Sequence, residues 1–449
     1  MKNILRIILA TFARAMIHKH NPTIIGVTGS VGKTSARLAI YAVLKQKYRV
    51  RTAEKNYNNE IGLPLTILGI PHHGRNILKW AYAFVRVIWR LSASVSDRYP
   101  QVLVLEYGVD RRGDMDISLA IAKPNIAVVT AIGGIPAHVE FFKDAREIAA
   151  EKGKLIAALP VEGWAILNRD DCAAADMREK TPAHILTFGR ESHAEVRIIF
   201  NDAPVKNSAS QNAALPDQSK AENTVLPKGI AFKLEYNGSV VPVRLEGAFG
   251  LPPAYAAAAA AGAGLALGMN LIEISEALAG WRPPPGRMRL LEGKNHSRIL
   301  DDTYNAAPDA MRSALETLRS LPGKRRIAVL GDMLELGRYA EQAHRAIGDL
   351  AADSADLLFC VGPRAKFIAD AARRRGMSAE RIFLFDDSLS AIEGLTPMIE
   401  EADLILVKGS QGMRMERVVK EIMAEPARAK YLLVRQEPYW LQKNPTPTQ

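Results

Sequence analysis

Apolar and polar positions change period several times along the chain, and these changes predict its elements. Residues 1–20 follow a helical pattern in which basic residues interrupt apolar ones, which predicts an amphipathic basic helix. Residues 23–28, 101–107 and 125–130 are instead continuous apolar runs separated by helical stretches. Such runs are typical of parallel strands that helices bury on both faces. The first half of the chain is therefore expected to fold as an α/β domain.

A second series of apolar runs begins after the stiff Pro-Pro-Pro-Gly segment at residues 283–286. Helical stretches separate most of these runs, so we expect a doubly wound, Rossmann-like α/β domain. Its strands are predicted at residues 298–302, 326–330, 356–361, 381–385 and 403–407. Between the two series, short strands over residues 185–245 predict a small β-rich insertion around a polar loop. An Ala-rich helix at 255–267 then returns to the first domain.

These patterns define the predicted domain organisation. The predicted segments are an N-terminal amphipathic helix (1–22), a central parallel-sheet domain (23–285) with a helical insertion (71–100) and a polar loop (201–228), a C-terminal Rossmann-like domain (286–437) and a tail (438–449).

Length and composition exclude several classes of protein. The chain has 449 residues, too many for one hydrophobic core, and 48% hydrophobic with 24% charged residues is typical of a folded globular protein. Only two cysteines occur, Cys172 and Cys360, which excludes a disulfide scaffold and a Cys-rich metal site and suits a reducing compartment. Charges interrupt every apolar stretch before the roughly 20 residues that a membrane-spanning helix needs. We expect a cytoplasmic, multi-domain monomer.

The charge balance indicates an anionic partner. Lys and Arg number 59 against 48 Asp and Glu, a formal net charge of +11. A basic surface suits nucleotides, phosphorylated sugars, nucleic acid or an anionic membrane. The chain has no zinc-finger spacing, RNP-type aromatic motif or long basic run, so no nucleic-acid partner is expected.

The sharpest chemical signal is the segment 26–35, Gly-Val-Thr-Gly-Ser-Val-Gly-Lys-Thr-Ser, which lies where a strand ends and a helix begins. Glycines let the backbone wrap an anion, and a helix N-terminus offers unpaired N–H groups. We expect Lys33 to reach the β- and γ-phosphates of a nucleotide and Thr34 to hold Mg²⁺ through its hydroxyl group. The strict spacing requires glycine where Val27 stands, so a Gly-rich turn without nucleotide remains an alternative. The central domain is thus predicted to be a P-loop-type ATPase domain, whose further nucleotide contacts are Gly29, Ser30, Gly32 and Ser35.

Three more side chains lie near the expected ends of strands or on a nearby helix. Glu106 ends the run 101–107, and ligands of open α/β sheets bind beyond such ends, so its carboxylate is expected to reach phosphate-bound Mg²⁺. A solvent-facing glutamate is the alternative. His138 follows the run 125–130 and is a candidate second magnesium ligand. The sequence around Lys152, taken alone, predicts that this lysine lies on a solvated face of a helix.

Polar residues also follow three predicted strands of the second domain. Asp302 ends the first and Asn305 follows it, with groups that suit a ribose or a base, and Asp332 and Lys408 follow two others. Since parallel strands end at one edge of a sheet, we expect these residues to line one wall of a cleft.

The order of these motifs resembles a known family. TGSVGKTS, NYNNEIGLPLT, LEYG, AHVEFF, EKGKLI, DDTYNAAPDAM, GDMLELG and LVKGSQGMRME follow one another between residues 26 and 417. The chain resembles the Mur ligases, ATP-dependent amide-bond-forming enzymes of peptidoglycan synthesis. GDMLELG and LVKGSQGMRME are similar to the branch that adds D-Ala-D-Ala to UDP-MurNAc-tripeptide. The resemblance implies ATP and Mg²⁺ as cofactors, and as substrates a muropeptide-type carboxylate with an amino acid or dipeptide.

The resemblance also implies a mechanism and the residues that carry it. ATP would phosphorylate the carboxylate, and an amine would attack the resulting acyl phosphate. The implied catalytic residues are Lys33, His138 and Lys152, the last matching the family's carbamylated lysine. The implied magnesium ligands are Thr34, Glu106, His138 and Lys152. The implied nucleotide contacts of the C-terminal domain are Arg287, Asp302 and Asn305. The implied substrate-side residues are Asn59, Glu60, Asp332, His344 and Lys408.

Three departures from the family pattern leave alternatives open. The family's N-terminal UDP-binding domain is expected to be missing, residues 247–250 read Gly-Ala-Phe-Gly where the family has Gly-Arg-His-Asn, and residues 71–100 resemble an insertion. The basic apolar segments at 1–20 and 76–95 either pack together in place of the missing domain or lie on the inner face of an anionic membrane. A lipid-linked acceptor, a polyglutamate- or cyanophycin-type ligase and a non-catalytic nucleotide-binding scaffold therefore remain alternatives.

Overall fold

The computed structural model describes residues 2–53, 57–74, 76–92, 99–200 and 228–442. The predicted polar loop lies outside the described residues except for Lys228, as do part of the predicted insertion and residues 443–449 of the tail. The chain divides into two compact units. The first contains residues 1–198, 233–243 and 254–281, and the second contains 199–232, 244–253 and 282–449.

In the described part of the chain, the first sheet has nine strands in the order β2-β3-β1-β4-β5-β6-β7-β8-β9. The strands are Thr23–Thr28 (β1), Val50–Thr52 (β2), Val102–Glu106 (β3), Ile126–Val129 (β4), Trp164–Asn168 (β5), His184–Gly189 (β6), Val196–Ile199 (β7), Gly229–Tyr236 (β8) and Ser239–Glu246 (β9). The first seven strands in this order, from β2 to β7, are joined by parallel pairs. The predicted β-rich segment thus continues the same sheet at one edge.

The second sheet has six strands within the described residues, in the order β10-β11-β15-β12-β13-β14. The strands are Arg289–Glu292 (β10), Arg298–Asp302 (β11), Arg326–Gly331 (β12), Leu357–Val361 (β13), Ile382–Phe385 (β14) and Leu404–Lys408 (β15). Only β10 pairs antiparallel among the pairs of this sheet. Five of the six match the runs predicted from the sequence, whereas β10 was not predicted.

Helices separate most of the parallel strands in both units. They are Lys2–His20 (α1), Lys33–Leu44 (α2), Gly62–Leu68 (α3), Ile77–Ser92 (α4), Asp114–Ile121 (α5), Ala145–Ala157 (α6), Cys172–Ala175 (α7), Leu251–Ala266 (α8), Leu271–Ala279 (α9), Pro308–Ser320 (α10), Ala340–Ala352 (α11), Lys366–Arg374 (α12), Ser388–Leu395 (α13), Glu416–Ile422 (α14), Ala429–Leu432 (α15) and Pro438–Leu441 (α16). Helix α16 forms within the segment that was assigned to the tail.

The apolar strands lie in the interior of each unit because their side chains are buried on both faces of the sheet. The residues of β3 and β4 are all buried, and those of β1 are buried except at its first position. Such strands have no solvent face, as expected for parallel strands covered on both sides. Strand β15 is likewise fully buried in the second unit. The α/β fold class predicted from the sequence is confirmed.

Helix α1 packs on the first unit through one face. Leu9, Ala13 and Met16 are buried in its core, and the helix contacts α3, α4 and α5. Helix α4 lies within the predicted insertion and buries Trp80 and Val87 in the same core. Among the described residues, no helix combines the length and the apolarity required to cross a membrane.

Candidate active site

The phosphate-binding segment forms the turn between β1 and α2. Gly32 caps α2 with φ 88°, and Gly29 has φ 146°, a backbone conformation that side chains disfavour. A Cβ atom at Gly29 would lie 2.1 Å from Thr130 Oγ1, so this position also has no room for a side chain. Val27 lies within β1, opposite Glu106 in the register. Position 27 is still part of strand β1, so the turn of the phosphate loop does not require a glycine there.

The phosphate-binding segment carries the polar side chains of Ser30, Lys33, Thr34 and Ser35. Lys33 Nζ donates hydrogen bonds to the carbonyl groups of Gly29 at 2.8 Å and Ser30 at 3.3 Å. The Ser30 hydroxyl is buried and has no hydrogen-bond partner among the described residues. Thr34 and Ser35 are buried in the first turn of α2. A buried hydroxyl beside a lysine and a helix N-terminus fits an anion such as a phosphate.

Glu106 lies at the end of β3, beside the loop, because β3 pairs in parallel with β1. Its Oε2 accepts hydrogen bonds from Thr34 Oγ1 at 3.1 Å and from Arg37 Nε at 3.2 Å, and its Oε1 accepts one from Asn58 Nδ2 at 3.5 Å. The Arg37 and Glu106 side chains are each only 2% exposed. The solvent-facing alternative for Glu106 is thus wrong, and the carboxylate lies next to the hydroxyl group predicted to hold the metal.

His138 follows β4, the other neighbour of β1. It adopts a left-handed backbone conformation with φ 68°, and its Nε2 lies 3.6 Å from Asp110 Oδ1. A left-handed conformation is uncommon for residues other than glycine, and such residues often occur at functional sites.

Lys152 is buried on α6, so the interpretation of this residue as part of a solvated helix face is wrong. Burial, together with the positive charge of Lys33, holds the pKa of the Lys152 amine well below its usual range. The negative charges of Asp110, Glu151 and Glu106 raise this pKa in part. Burial therefore shifts the Lys152 amine towards its neutral form, and Lys152 belongs electrostatically to the same group as the phosphate loop.

The donor set fits Mg²⁺ better than a transition metal. Within the described ranges, no three His, Cys, Asp or Glu side chains come close enough to hold a metal ion by themselves. Mg²⁺ is commonly bound by one or two carboxylates together with substrate phosphates and water. Thr34 and Glu106, which share a hydrogen bond beside the phosphate loop, could supply the protein oxygens of such a site.

A polar pocket lies beside these residues. It is lined by Asn58, Asn59, Glu60, Gly108, Asp110, Arg111, Asp114, Ile117 and Ser118. Asn59 Oδ1 also accepts a hydrogen bond from the Gly62 amide at 2.9 Å and so fixes the start of α3. Asn59 and Glu60, which are predicted to contact the substrate, thus line this pocket. Asn58 also lines it and donates a hydrogen bond to Glu106.

The second unit brings together a different group of predicted residues. Lys408 Nζ lies 2.5 Å from Asp302 Oδ2 and donates to the Asn305 carbonyl at 2.9 Å. Arg287 stacks on the Tyr304 ring, with 3.9 Å between the guanidinium carbon and the ring centroid. Strand β15 lies between β11 and β12, which explains why Lys408 meets Asp302. The predicted convergence of polar strand ends is observed for these residues.

Asp332 and His344 are both buried and hold backbone groups in place. Asp332 Oδ1 accepts hydrogen bonds from the amides of Ala365 at 2.7 Å and Arg364 at 3.1 Å. His344 Nε2 accepts one from the Met333 amide at 3.0 Å. Burial raises the pKa of Asp332 to about 6 and lowers that of His344 to about 4. Their predicted place on the amine-substrate side stays a prediction.

Several residues of the site were not singled out in the sequence. Arg37 lies three residues after Thr34, so both project from the same face of α2 towards Glu106. Glu151 is buried, and its Oε1 accepts hydrogen bonds from the amides of Gly113 and Met115 at the start of α5. The helical spacing from Thr34 was an available signal for Arg37. The sequence holds no comparable signal for Glu151, whose partners are distant along the chain.

Comparisons with known proteins agree with this geometry. The Mur ligase middle domain matches residues 27–78 and 88–260, and the Mur ligase, glutamate ligase domain matches residues 286–411. The UDP-N-acetylmuramoyl-tripeptide–D-alanyl-D-alanine ligase of Bacillus subtilis is 28% identical over 421 residues, which cover 93% of this chain and 79% of the relative. The enzyme of the same name from Synechocystis is 30% identical over 408 residues, covering 90% of this chain and 75% of the relative.

Solved structures give the same result. The crystal structure of MurF from Acinetobacter baumannii has a TM-score of 0.73 at 25% identity and covers 92% of this chain and 79% of its own. MurF from Thermotoga maritima in complex with ADP has a TM-score of 0.71 at 26% identity, and the match covers 94% of this chain and 84% of the Thermotoga chain. The phosphate loop between β1 and α2, the family matches and these structures lead to one conclusion: this chain belongs to the Mur ligase family.

Proposed function

We propose that this protein is an ATP-dependent ligase that joins D-Ala-D-Ala to the terminal carboxylate of a muramoyl tripeptide. The observation that carries this proposal is the buried Lys152, whose pKa is lowered beside Lys33, Glu106 and Asp110. A protein that only binds nucleotide has no use for a buried amine at this place. The names of the relatives supply the substrates of the proposal.

The proposed reaction has two steps. A carboxylate oxygen of the muropeptide attacks the γ-phosphorus of ATP, the bond to the β-phosphate oxygen breaks, and ADP leaves. The amine nitrogen of the dipeptide then attacks the acyl carbon, loses a proton and displaces inorganic phosphate as the amide forms. Both steps concentrate negative charge on phosphate oxygens, and preorganised positive groups stabilise such charge.

Residues of the first unit would perform the positioning. Lys33 would turn from the loop carbonyl groups to the transferred phosphate, and the amides at the start of α2 would hold the neighbouring phosphate. Thr34 and Glu106 would hold Mg²⁺, with His138 and a modified Lys152 at a second ion. When bound, Mg²⁺ would supply charge neutralisation and alignment of the phosphates. Arg37 would keep the Glu106 carboxylate in place.

Lys152 is suited to carbamylation because burial and the charge of Lys33 lower the pKa of its amine and so make the neutral form more accessible. Carbon dioxide adds to the neutral amine, the nitrogen loses a proton, and the product is a carbamate with one negative charge. A protonated Lys152 would repel Lys33, whereas the carbamate is an anion that attracts it.

In the second unit, Arg287, Asp302 and Asn305 would contact the nucleotide, and Asp332, His344 and Lys408 would serve the amine side. Asn59 and Glu60 would contact the muropeptide at the pocket of the first unit. The two cysteines are free, which is in keeping with a cytoplasmic location.

The test is ADP release by the purified chain with Mg²⁺-ATP, UDP-MurNAc-tripeptide and D-Ala-D-Ala, followed by the mass of the product. Turnover that requires both substrates and yields the expected amide would support the proposal. ATP binding without turnover would favour a scaffold, whereas turnover only with glutamate or another acceptor would move the activity to a related ligase.

Two variants connect the assay to the site. Lys33→Ala should abolish turnover because the transferred phosphate loses its cation. Lys152→Ala should be nearly inactive and should recover in part with added short-chain carboxylates, which could occupy the space of the carbamate. Failure of every carboxylate to restore activity, in a variant that still binds ATP, would remove the carbamate from the mechanism.

A further inference from the structure

Helices α1 and α4 lie side by side on the first unit and run in the same direction. The Phe12 and Phe84 rings are 5.7 Å apart, and Lys19 Nζ donates a hydrogen bond to the Leu91 carbonyl at 2.6 Å. Both pairs have the same separation of 72 residues along the chain, so the two helices advance together. Their outer faces therefore form one surface, which we call the α1/α4 face.

The α1/α4 face is apolar although it is exposed. On α1, Ile4 and Ile7 are more than half exposed, and on α4 Leu78 is 83% and Trp89 64% exposed. Of the 19 large hydrophobic side chains that are exposed in the described part of the chain, nine belong to these two helices. They are Ile4, Ile7, Ile8, Ile77, Leu78, Tyr82, Val85, Ile88 and Trp89. Scattered exposed apolar residues are ordinary, whereas such a concentration marks an interaction surface.

The sequence around this face contains almost no negative charge. Residues 1–96 include 15 Lys and Arg but only two acidic residues, Glu54 and Glu60, and neither lies in α1 or α4. The rest of the chain holds 44 basic and 46 acidic residues, so the whole positive excess belongs to the first 96 residues. On α4, Lys79 and Arg86 are exposed beside the apolar side chains. The partner of this face must therefore combine apolar material with negative charge.

We propose that the α1/α4 face docks on the surface of an anionic phospholipid bilayer. The apolar side chains would enter the boundary between headgroups and acyl chains, and Lys79 and Arg86 would remain at the level of the phosphates. Tyr82 and Trp89 are the aromatic types that favour this boundary. The buried faces of both helices hold them on the domain, so docking needs no unfolding. A protein partner of this chemistry would need an apolar surface with acidic residues around it.

Docking would also fix the orientation of the candidate pocket relative to the bilayer. Helix α5, which supplies Asp114, Ile117 and Ser118 to the pocket, packs against α1. The pocket wall and the lipid-binding face thus share one layer of helices. The proposal does not depend on the proposed reaction, because lipid binding is measured without substrates.

The experiment is flotation of the full chain with vesicles of phosphatidylcholine alone and of phosphatidylcholine mixed with phosphatidylglycerol. We expect flotation with the anionic vesicles that decreases as salt is added. Leu78→Glu, Val85→Glu and Trp89→Glu combined should reduce binding by about a hundredfold or more, because three charges enter the apolar side of the face. The matched control combines Leu384→Glu, Leu389→Glu and Tyr431→Glu, three exposed apolar residues of the second unit, and should float like the parent chain.

A second variant tests the contribution of positive charge and leaves the apolar side chains unchanged. Lys79→Gln with Arg86→Gln should lower binding to anionic vesicles by about 25-fold, since each basic residue near such a surface contributes about fivefold. Equal binding of either face variant and the parent chain would overturn the proposal, as would absence of the parent chain from the floated fraction. A parent chain that stays unfloated but forms dimers, which the glutamate variant abolishes, would assign the face to a second copy instead.

Discussion

Replacement of Arg37 by methionine tests whether the Glu106 carboxylate depends on its buried partner. Arg37 Nε lies 3.2 Å from Glu106 Oε2, and both side chains are 2% exposed. At an effective dielectric constant of about 20, Coulomb's law gives roughly 5 kcal/mol for unit charges at this separation. The cost of burying both charges offsets much of this attraction in the intact pair. Arg37→Met, however, leaves the carboxylate buried without its cation, so we expect a loss of about 3–5 kcal/mol in the free energy of unfolding.

A double-mutant cycle isolates the interaction. Glu106→Gln should also destabilise the protein, because Arg37 then keeps its burial without a negative partner. The double variant Arg37→Met/Glu106→Gln removes both charges and should cost less than the sum of the single changes by at least about 1 kcal/mol. Arg428→Met is the matched control, because its ion pair with Glu425 is more than half exposed, and should change stability by less than about 0.5 kcal/mol.

Urea unfolding followed by tryptophan fluorescence is the appropriate assay. Four of the five tryptophans, Trp80, Trp89, Trp164 and Trp281, belong to the first unit, so the signal reports mainly the unit that contains the pair. Additive single changes, or an Arg37→Met variant as stable as the Arg428→Met control, would show that Glu106 is held by its other hydrogen bonds. ATP binding of Arg37→Met should fall as well, because Thr34 and Glu106 share a hydrogen bond.

Two further predictions concern the phosphate loop and the buried carboxylate of the second unit. Gly29→Ala should abolish detectable ATP binding in calorimetry because its Cβ would collide with Thr130. Gly238→Ala is the control, because Gly238 also has a positive φ, 76°, but lies in open space; it should cost only about 1 kcal/mol and leave ATP binding unchanged. Burial raises the pKa of Asp332 to about 6, so its contribution to stability is fully present below the unfolded-state pKa and is lost as the pH rises through about 6. Asp332→Asn keeps the oxygen that accepts from Ala365 and should flatten this decline by about 1.3 kcal/mol in melting experiments between about pH 5 and pH 7. An unchanged profile would show that Asp332 is not the titrating group.

The sequence by itself determined the order of elements and the phosphate loop. Apolar runs with no polar face require strands buried on both sides, and the segment 26–35 between a strand and a helix predicts an anion site. Because parallel strands end at one edge of a sheet, the sequence alone places Glu106 and His138 near this loop. Strands β3 and β4 indeed lie on either side of β1.

The tertiary structure alone decided which polar residues are buried and what they contact. Lys152 has the local pattern of a solvated helix face, and only the packing of α6 against the sheet removes it from water and lowers its pKa. Glu151 meets Gly113 and Met115 across 36 to 38 residues of sequence, a contact that no local pattern encodes. The same holds for α1 and α4, since periodicity predicts an apolar stripe but not which side of it the domain covers. Burial depends on contacts between distant segments, and hydrophobic period and spacing describe only neighbours along the chain.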